Sequence, residues 1–380
     1  MDICRMDINT YVDAHLAELY ELIKTLCRIP APSGQERSRA EFCKQWLELH
    51  GAANARLDAA GNAVLELNAQ GQNQLRVFTA HMDTVFPDTA PLPVKERPGT
   101  LQCPGVYDDT ANLAILLMAA RFLLERGVRP SYGMLVVADS GEEGLGNLRG
   151  CRRLMEDYAG RIAQLISFDL TYDQLFAQAV GSSRYRVTLR TKGGHSFADF
   201  GSRNAIVQLS HLISDLYGIH LPKGPAYGKI TYNVGRIEGG TSVNTIAQQA
   251  SMLYEYRSDS AEGLSWMERA FQSTVDICRA DGVEVDVELL GTRPCSSNLN
   301  ETSQRALTET CAGIIRAHTG TAPAVVSGST DCNIPLSMGI PAVSFGVCRG
   351  RGAHTREELL DVSSLKTGLQ IALDVMLRFS

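Results

Sequence analysis

Val77-Phe78-Thr79-Ala80-His81-Met82-Asp83-Thr84-Val85 is the stretch on which the fold turns. Its first four residues are apolar or β-branched and too few for a helix, so they read as a strand buried on both faces. The chain then switches at once to His81 and Asp83. The design recurs: Met134-Leu135-Val136-Val137-Ala138 runs into Asp139-Ser140-Gly141-Glu142-Glu143-Gly144, and Leu165-Ile166-Ser167-Phe168 runs into Asp169. Between these strands, Asp109 reads as the cap of a helix that reaches Arg126 and stops at Gly127. Residues 113–120 of that helix are apolar all round, which predicts a buried helix. Apolar strands alternating with helices predict an α/β domain: a three-layer, mostly parallel sheet covered on both faces. Ser33-Gly34-Gln35-Glu36 reads as a capping box for an earlier helix ending near His50.

The pattern changes near Gly181. Tyr185, Val187 and Leu189 alternate with arginines and a threonine, and residues 230–234, 250–256 and 283–289 alternate likewise. Two amphipathic helices separate them, one with Ile206, Leu209, Ile213 and Leu216, the other with Leu264, Met267, Phe271 and Val275. The order β-α-β-β-α-β is the split βαβ arrangement of a ferredoxin-like α+β domain. We therefore expect this domain at 182–291, inserted into a larger one formed by 1–181 and 292–380. In the latter, helices are expected at 301–318 and 362–378, with strands at 324–326 and 342–345.

The bulk composition narrows the class. A chain of 380 residues exceeds what one core usually holds. Net charge is −6, with no basic stripe, which argues against nucleic acid and anionic membrane as partners. The start, Met1-Asp2-Ile3-Cys4-Arg5-Met6-Asp7, lacks the apolar core of a secretory signal, and no apolar run is long enough to span a bilayer. Ten scattered cysteines without a C-x-x-C spacing suit a reducing compartment, and the expected location is cytoplasmic.

Five motifs carry the chemistry. His81 and Asp83 point to one face of an extended segment, so one can bind a metal while the other orients the imidazole. In Gly105-Val106-Tyr107-Asp108-Asp109, helix capping explains Asp109 and leaves Asp108 available. Glu142-Glu143 and Asp169 follow strands, and His354 lies in Gly352-Ala353-His354-Thr355-Arg356-Glu357-Glu358. Singly, each has a structural reading: a solvated loop, a cap, a strand terminus. As a set, imidazoles and carboxylates at strand ends suit a divalent cation, with zinc leading and cobalt or manganese suited to the same ligands. A nucleotide site is excluded, because the glycines after Glu143 lack the G-x-G-x-x-G spacing and paired carboxylates repel a pyrophosphate.

These motifs, in this order, resemble those of the di-zinc aminoacylase/carboxypeptidase metallopeptidases, which include glutamate carboxypeptidase, acetylornithine deacetylase, succinyl-diaminopimelate desuccinylase and tripeptide aminopeptidase. His81-Met82-Asp83-Thr84-Val85 resembles the family's H-x-D-T-V, and Gly105 to Asp109 its G-x-x-D-D. Gly193-Gly194-His195-Ser196 resembles its lid histidine segment, and Gly239-Gly240-Thr241-Ser242-Val243-Asn244 its G-G-x-x-x-N loop. The resemblance implies two zinc ions bridged by Asp108, one completed by His81 and Asp169, the other by Glu143 and His354. It implies Asp83 as the residue orienting His81, Glu142 as general base toward a metal-bridging hydroxide, and His195 as an oxyanion donor reaching across a homodimer formed by the inserted lid domain. It further implies substrate contacts from Asn244, Arg293 and the loop Gly328-Ser329-Thr330, and Arg257 stands where the family often has an arginine. Thr110 stands where the family often has Lys. Asp169, where carboxypeptidases and deacylases tend to have Glu, tilts the expectation toward an exopeptidase of the aminopeptidase or dipeptidase type. The alternatives are an N-acyl-amino-acid deacylase or carboxypeptidase on the same site and, more remotely, an inactive binding protein.

Overall fold

A computed structural model describes residues 5–380, so the first four residues of the N-terminal segment discussed above lie outside the described residues. The chain divides into two compact units, one made of Met1–Ala179 with Ser297–Ser380 and the other of Val180–Ser296.

The first unit is built on an eight-stranded sheet in the order Arg56–Leu57, Ala63–Leu67, Gly133–Asp139, Leu75–His81, Ile162–Phe168, Ala342–Phe345, Gln174–Ala179, Ala324–Gly328. The four central strands are mutually parallel, as expected from their apolar composition. Alternate residues feed two separate cores. Phe78, Val136, Ile166 and Phe345 face helices Arg5–Cys27, Ala111–Glu125 and Leu365–Arg378. Val77, Leu135, Val137 and Leu165 face helix Arg149–Asp157 and the short helix Asn333–Ser337. Helix Ala111–Glu125 is buried along most of its length, which explains its apolar circumference. A small antiparallel sheet joins Gly350–Arg351, Leu359–Asp361, Thr100–Gln102 and Lys95–Arg97.

Two local expectations fail. The helix after Ser33 runs Arg37–Leu49 and carries no side-chain cap. Ser33 instead donates to the Asp83 carboxylate at 2.6 Å, and Glu36 accepts from the Gly34 amide. Asp109 does not cap its helix either. Its carboxylate accepts from the His81 amide at 3.0 Å and from Asn112 Nδ2 at 2.6 Å, so it ties the helix start to the end of the central strand.

The second unit holds a four-stranded antiparallel sheet in the order Ile230–Gly239, Gln249–Ser258, Gly181–Arg190, Glu284–Arg293. Helices Ala205–Tyr217 and Ala261–Ala280 enclose a core with Val187, Leu189, Tyr254 and Tyr256 from the sheet, Leu209 and Leu216 from the first helix, and Phe271 from the second. Among the described residues no helix is long and apolar enough to cross a membrane.

Candidate active site

Parallel strands align their carboxyl ends, and here that edge collects the ionisable motifs. His81 and Asp139 end adjacent strands in register, and Asp169 follows directly after Phe168 on the next strand. The segment containing Asp108 is brought to the same edge by two devices. Gly105 adopts a φ of 74°, and a Cβ there would come within 2.5 Å of the Thr84 side chain, so only glycine lets this loop lie against the His81 segment. Glu358 then holds the loop, its carboxylate accepting from the amides of Gly105, Tyr107 and Asp108 at 3.0, 2.7 and 2.9 Å.

The result is a buried cluster with Asp108 at its centre. Asp108 Oδ1 lies 3.1 Å from His81 Nε2, and its Oδ2 lies 3.1 Å from His354 Nε2. His354 Nε2 is also 2.9 Å from Glu143 Oε1, and Asp169 Oδ1 is 3.9 Å from His81 Nε2. The donor atoms of His81, Asp108 and Asp169 lie within 4.8 Å of one another, as do those of Asp108, Glu143 and His354. Asp108 thus belongs to both triads, one oxygen toward each. A third grouping, His81 with Glu142 and Glu143, meets the same distance.

Hydrogen bonds fix the orientations. His81 Nδ1 donates to the backbone carbonyl of Asp83 at 3.0 Å, which fixes the ring with Nε2 toward Asp108 and Asp169. The Asp83 carboxylate is farther from that nitrogen, at 3.5 Å, and is engaged by the amides of Glu142 and Glu143 at 3.0 and 2.9 Å. Asp83 therefore orients His81 through its carbonyl and the Glu142-Glu143 pair through its carboxylate.

Crowding of acids away from water has a clear electrostatic signature. Burial, reinforced by the Asp108 charge, pushes Asp169 well above the usual carboxylate range. Burial also raises Asp109, and it raises Glu143 to about 7 against the opposing hydrogen bond from His354. Asp108 is lowered, because its hydrogen bonds with His354 and His81 outweigh burial. Hydrogen bonds to Asp108 and Glu143 raise His354 to about 10. Such a cluster is costly with protein groups alone, and a bound divalent cation removes the cost by neutralising facing carboxylates. Imidazole nitrogens and carboxylate oxygens in triads sharing one carboxylate fit borderline-to-hard divalent ions.

The other expected residues lie elsewhere. His195, Asn244, Arg257 and Arg293 belong to the second unit. There His195 and Asn244 are neighbours: Gly194–His195 pairs with Thr245–Ile246, and the Ser196 amide donates to the Asn244 carbonyl at 3.0 Å. His195 is exposed, and its Nδ1 accepts from the amides of Phe197 and Ala198, which puts the proton on Nε2. Arg257 is engaged by Glu255 at 2.9 Å, and Arg293 is buried. In the first unit Thr330 closes a tight turn with Asn333 at the end of the Gly328-Ser329-Thr330 loop.

Glu358 and Asp331 were not foreseen as contributors. Asp331 and Asp139 are fully enclosed, and burial drives both upward. Two buried carboxyls that repel each other favour the protonated form. Glu358 carried a faint signal, as an acid four residues after His354, but its three amide partners are distant in sequence.

Comparison with known proteins agrees with the geometry. Residues 77–378 match the model of peptidase family M20/M25/M40. A putative succinyl-diaminopimelate desuccinylase, DapE, of Mycobacterium tuberculosis is 26% identical over 94% of this chain and 97% of its own. Carboxypeptidase G2 of Pseudomonas sp. is 24% identical over 84% of this chain and 77% of its own. The crystal structure of aminopeptidase PepT from Bacillus cereus shares the fold, with a TM-score of 0.68 and 22% identity over 95% of this chain and 97% of that one. From the match over most of its length, the chain belongs to peptidase family M20/M25/M40 and is a hydrolytic enzyme of the metallopeptidase type.

Proposed function

We propose that this protein is a di-zinc exopeptidase that cleaves the amide bond of small peptides, of the aminopeptidase or dipeptidase type. The observation that carries this reading is Asp108, whose two oxygens face His81 and His354 in separate ligand triads. His81, Asp108 and Asp169 would hold one ion, and Asp108, Glu143 and His354 the other, with cobalt or manganese suited to the same donors. When bound, the ions supply Lewis acidity toward a carbonyl oxygen and toward water.

The chain's own groups supply the rest. Glu142 is buried beside the triads with its amide fixed on Asp83, which sets its carboxylate as the base that takes a proton from attacking water and returns it to the leaving amine. His195, with its proton on Nε2, is a donor for the oxyanion, contributed by a second copy in a homodimer. On this reading 182–291 is an inserted ferredoxin-like lid and dimerisation domain on a catalytic domain formed by 1–181 and 292–380. Asn244, Arg257, Arg293 and the loop Gly328-Ser329-Thr330 orient the substrate ends. Nine free cysteines among the described residues support a reducing, cytoplasmic setting.

Asp169 favours peptides over acylated amino acids. A second reading, N-acyl-amino-acid deacylase or carboxypeptidase, is favoured by the relatives DapE and carboxypeptidase G2. Metal analysis coupled to a substrate panel decides. Two ions per chain, with chelator-sensitive turnover of free dipeptides or tripeptides, are expected. Turnover confined to N-blocked peptides or N-acetyl amino acids replaces the first reading with the second, and chelator-insensitive turnover overturns both.

A further inference from the structure

Arg39 lies in helix Arg37–Leu49, outside every motif discussed so far, and is 3% exposed. A buried guanidinium normally faces a carboxylate. This one makes all its hydrogen bonds to neutral acceptors. Nε and Nη2 donate to the Ile29 carbonyl at 3.0 and 2.6 Å, and Nη2 also donates to the Leu26 carbonyl at 3.0 Å. Nη1 donates to the Met82 carbonyl at 2.7 Å and reaches Thr110 Oγ1 at 3.4 Å. One planar group therefore spans the end of helix Arg5–Cys27 and two segments of the acid cluster.

The Met82 contact is the informative one. That carbonyl belongs to the peptide plane between Met82 and Asp83, and the Met82 amide is already held by the Asp139 carbonyl at 2.8 Å. The Met82 amide and carbonyl lie in successive peptide planes, and holding one group in each fixes where Asp83 begins. Asp83 in turn orients His81 through its carbonyl and seats the amides of Glu142 and Glu143 with its carboxylate. The Thr110 contact lies two residues beyond Asp108, on the other segment feeding the triads. A fork with several fixed donors can hold both segments and the helix end at once, whereas an ammonium cannot.

We propose that Arg39 is a positioning residue for the cation centre, registering the His81-Met82-Asp83 and Asp108-Asp109-Thr110 segments against each other. This rests on the reading of that cluster as a cation site. The plain alternative is that Arg39 only caps the carbonyls of helix Arg5–Cys27, where a cation is favourable in any case.

The test titrates Co²⁺ into the full metal-free chain, reading affinity by competition with a chromophoric chelator and geometry by the visible absorption of bound Co²⁺. R39M is expected to bind Co²⁺ at least about tenfold more weakly with an altered band, the scale found when groups supporting a ligand are removed. R39K, which keeps the charge but loses the fork, is expected to fall between R39M and the unchanged chain. C43A, a buried change on the same helix, is expected to lower the melting temperature and leave affinity and band unchanged. If R39M does not fold, R39K carries the comparison. Arg39 variants that melt earlier but bind Co²⁺ with unchanged affinity and band overturn the proposal and leave the cation-site reading standing. An unaltered chain that takes up no Co²⁺ overturns both.

Discussion

At the carboxyl edge of the eight-stranded sheet, Asp83, Asp108, Asp109, Glu142, Glu143 and Asp169 are all buried. On the four-stranded sheet of the second unit, Arg184, Arg186 and Arg190 lie across from Glu255, Glu288 and Glu284 at half-exposed or exposed positions. Both regions are dense in charge, but only the second is balanced by its own side chains. Cross-strand pairs such as Arg186 with Glu288 are ordinary sheet stabilisation in water. Acids gathered where the solvent cannot screen them have no such return. They persist when hydrogen bonds, protons or a cation compensate them, and the three means divide this cluster. Asp83 and Glu358 are compensated by backbone amides, Asp139 and Asp331 by the protonation that burial favours, and the Asp108-centred triads by histidines that a divalent ion would engage.

The sharpest way to break this division is Glu142→Gln, which keeps shape and removes the base. A drop in kcat of about 10²–10⁴ is expected, the usual worth of a positioned general base, with bound metal unchanged because both Asp108 triads are intact. Steady-state kinetics with metal analysis on the same sample reads both quantities. Loss of metal together with activity would move Glu142 from base to ligand, in line with the third grouping at this edge. Unchanged turnover would sink the assignment.

Glu358 sharpens the boundary between acids that bind and acids that brace. It shares burial with the ligand set, yet it faces three amides and no imidazole. Glu358→Ala strands those donors and is expected to cost on the order of 3 kcal/mol in denaturant unfolding. Glu358→Gln should cost less. Two of the three amides share Oε1, which a carboxamide oxygen can replace, and only the Gly105 amide would face the new NH₂. Equal losses from both variants would mean that the negative charge, more than the acceptor geometry, holds the loop.

The same contrast explains what could be read from the chain alone. Central strands buried on both faces announce themselves as apolar runs, and ionisable residues at or just after their ends stand out, so the placement of His81, Glu142, Glu143 and Asp169 at this edge was legible. The strand Arg56–Leu57 was not, because two residues are too few for a pattern, nor was Gln174–Ala179, whose glutamines interrupt the apolar run and whose burial does not alternate. Ser33 and Asp109 were misread for a related reason. Local spacing offered each a helix cap, but tertiary partners claimed the side chains, Asp83 for Ser33 and the His81 amide for Asp109. Glu358, Asp331 and Arg39 act on groups far away in sequence, and no local pattern encodes such a partner.

The smallest effect is expected at Glu255, the balanced counterpart of the buried acids. Burial alone would raise its carboxyl, but the hydrogen bond from Arg257, with help from Arg184, outweighs it and holds the group below its ordinary value. The folded chain therefore releases this proton more readily than the unfolded chain. The stability from the pair is complete above the unfolded carboxylate value of about 4.3 and fades as pH falls through the lower folded value. Glu255→Gln should cost about 1 kcal/mol or less at pH 7, since these side chains are partly exposed and water screens them. The difference between the two proteins should close as denaturation is repeated at successively lower pH below about 4. It should also shrink in added salt, which screens an exposed pair more than a buried one. A loss of several kcal/mol, indifferent to salt, would show that the arginines around Glu255 form a buried, unbalanced cluster, and the contrast between the two sheets would fail there.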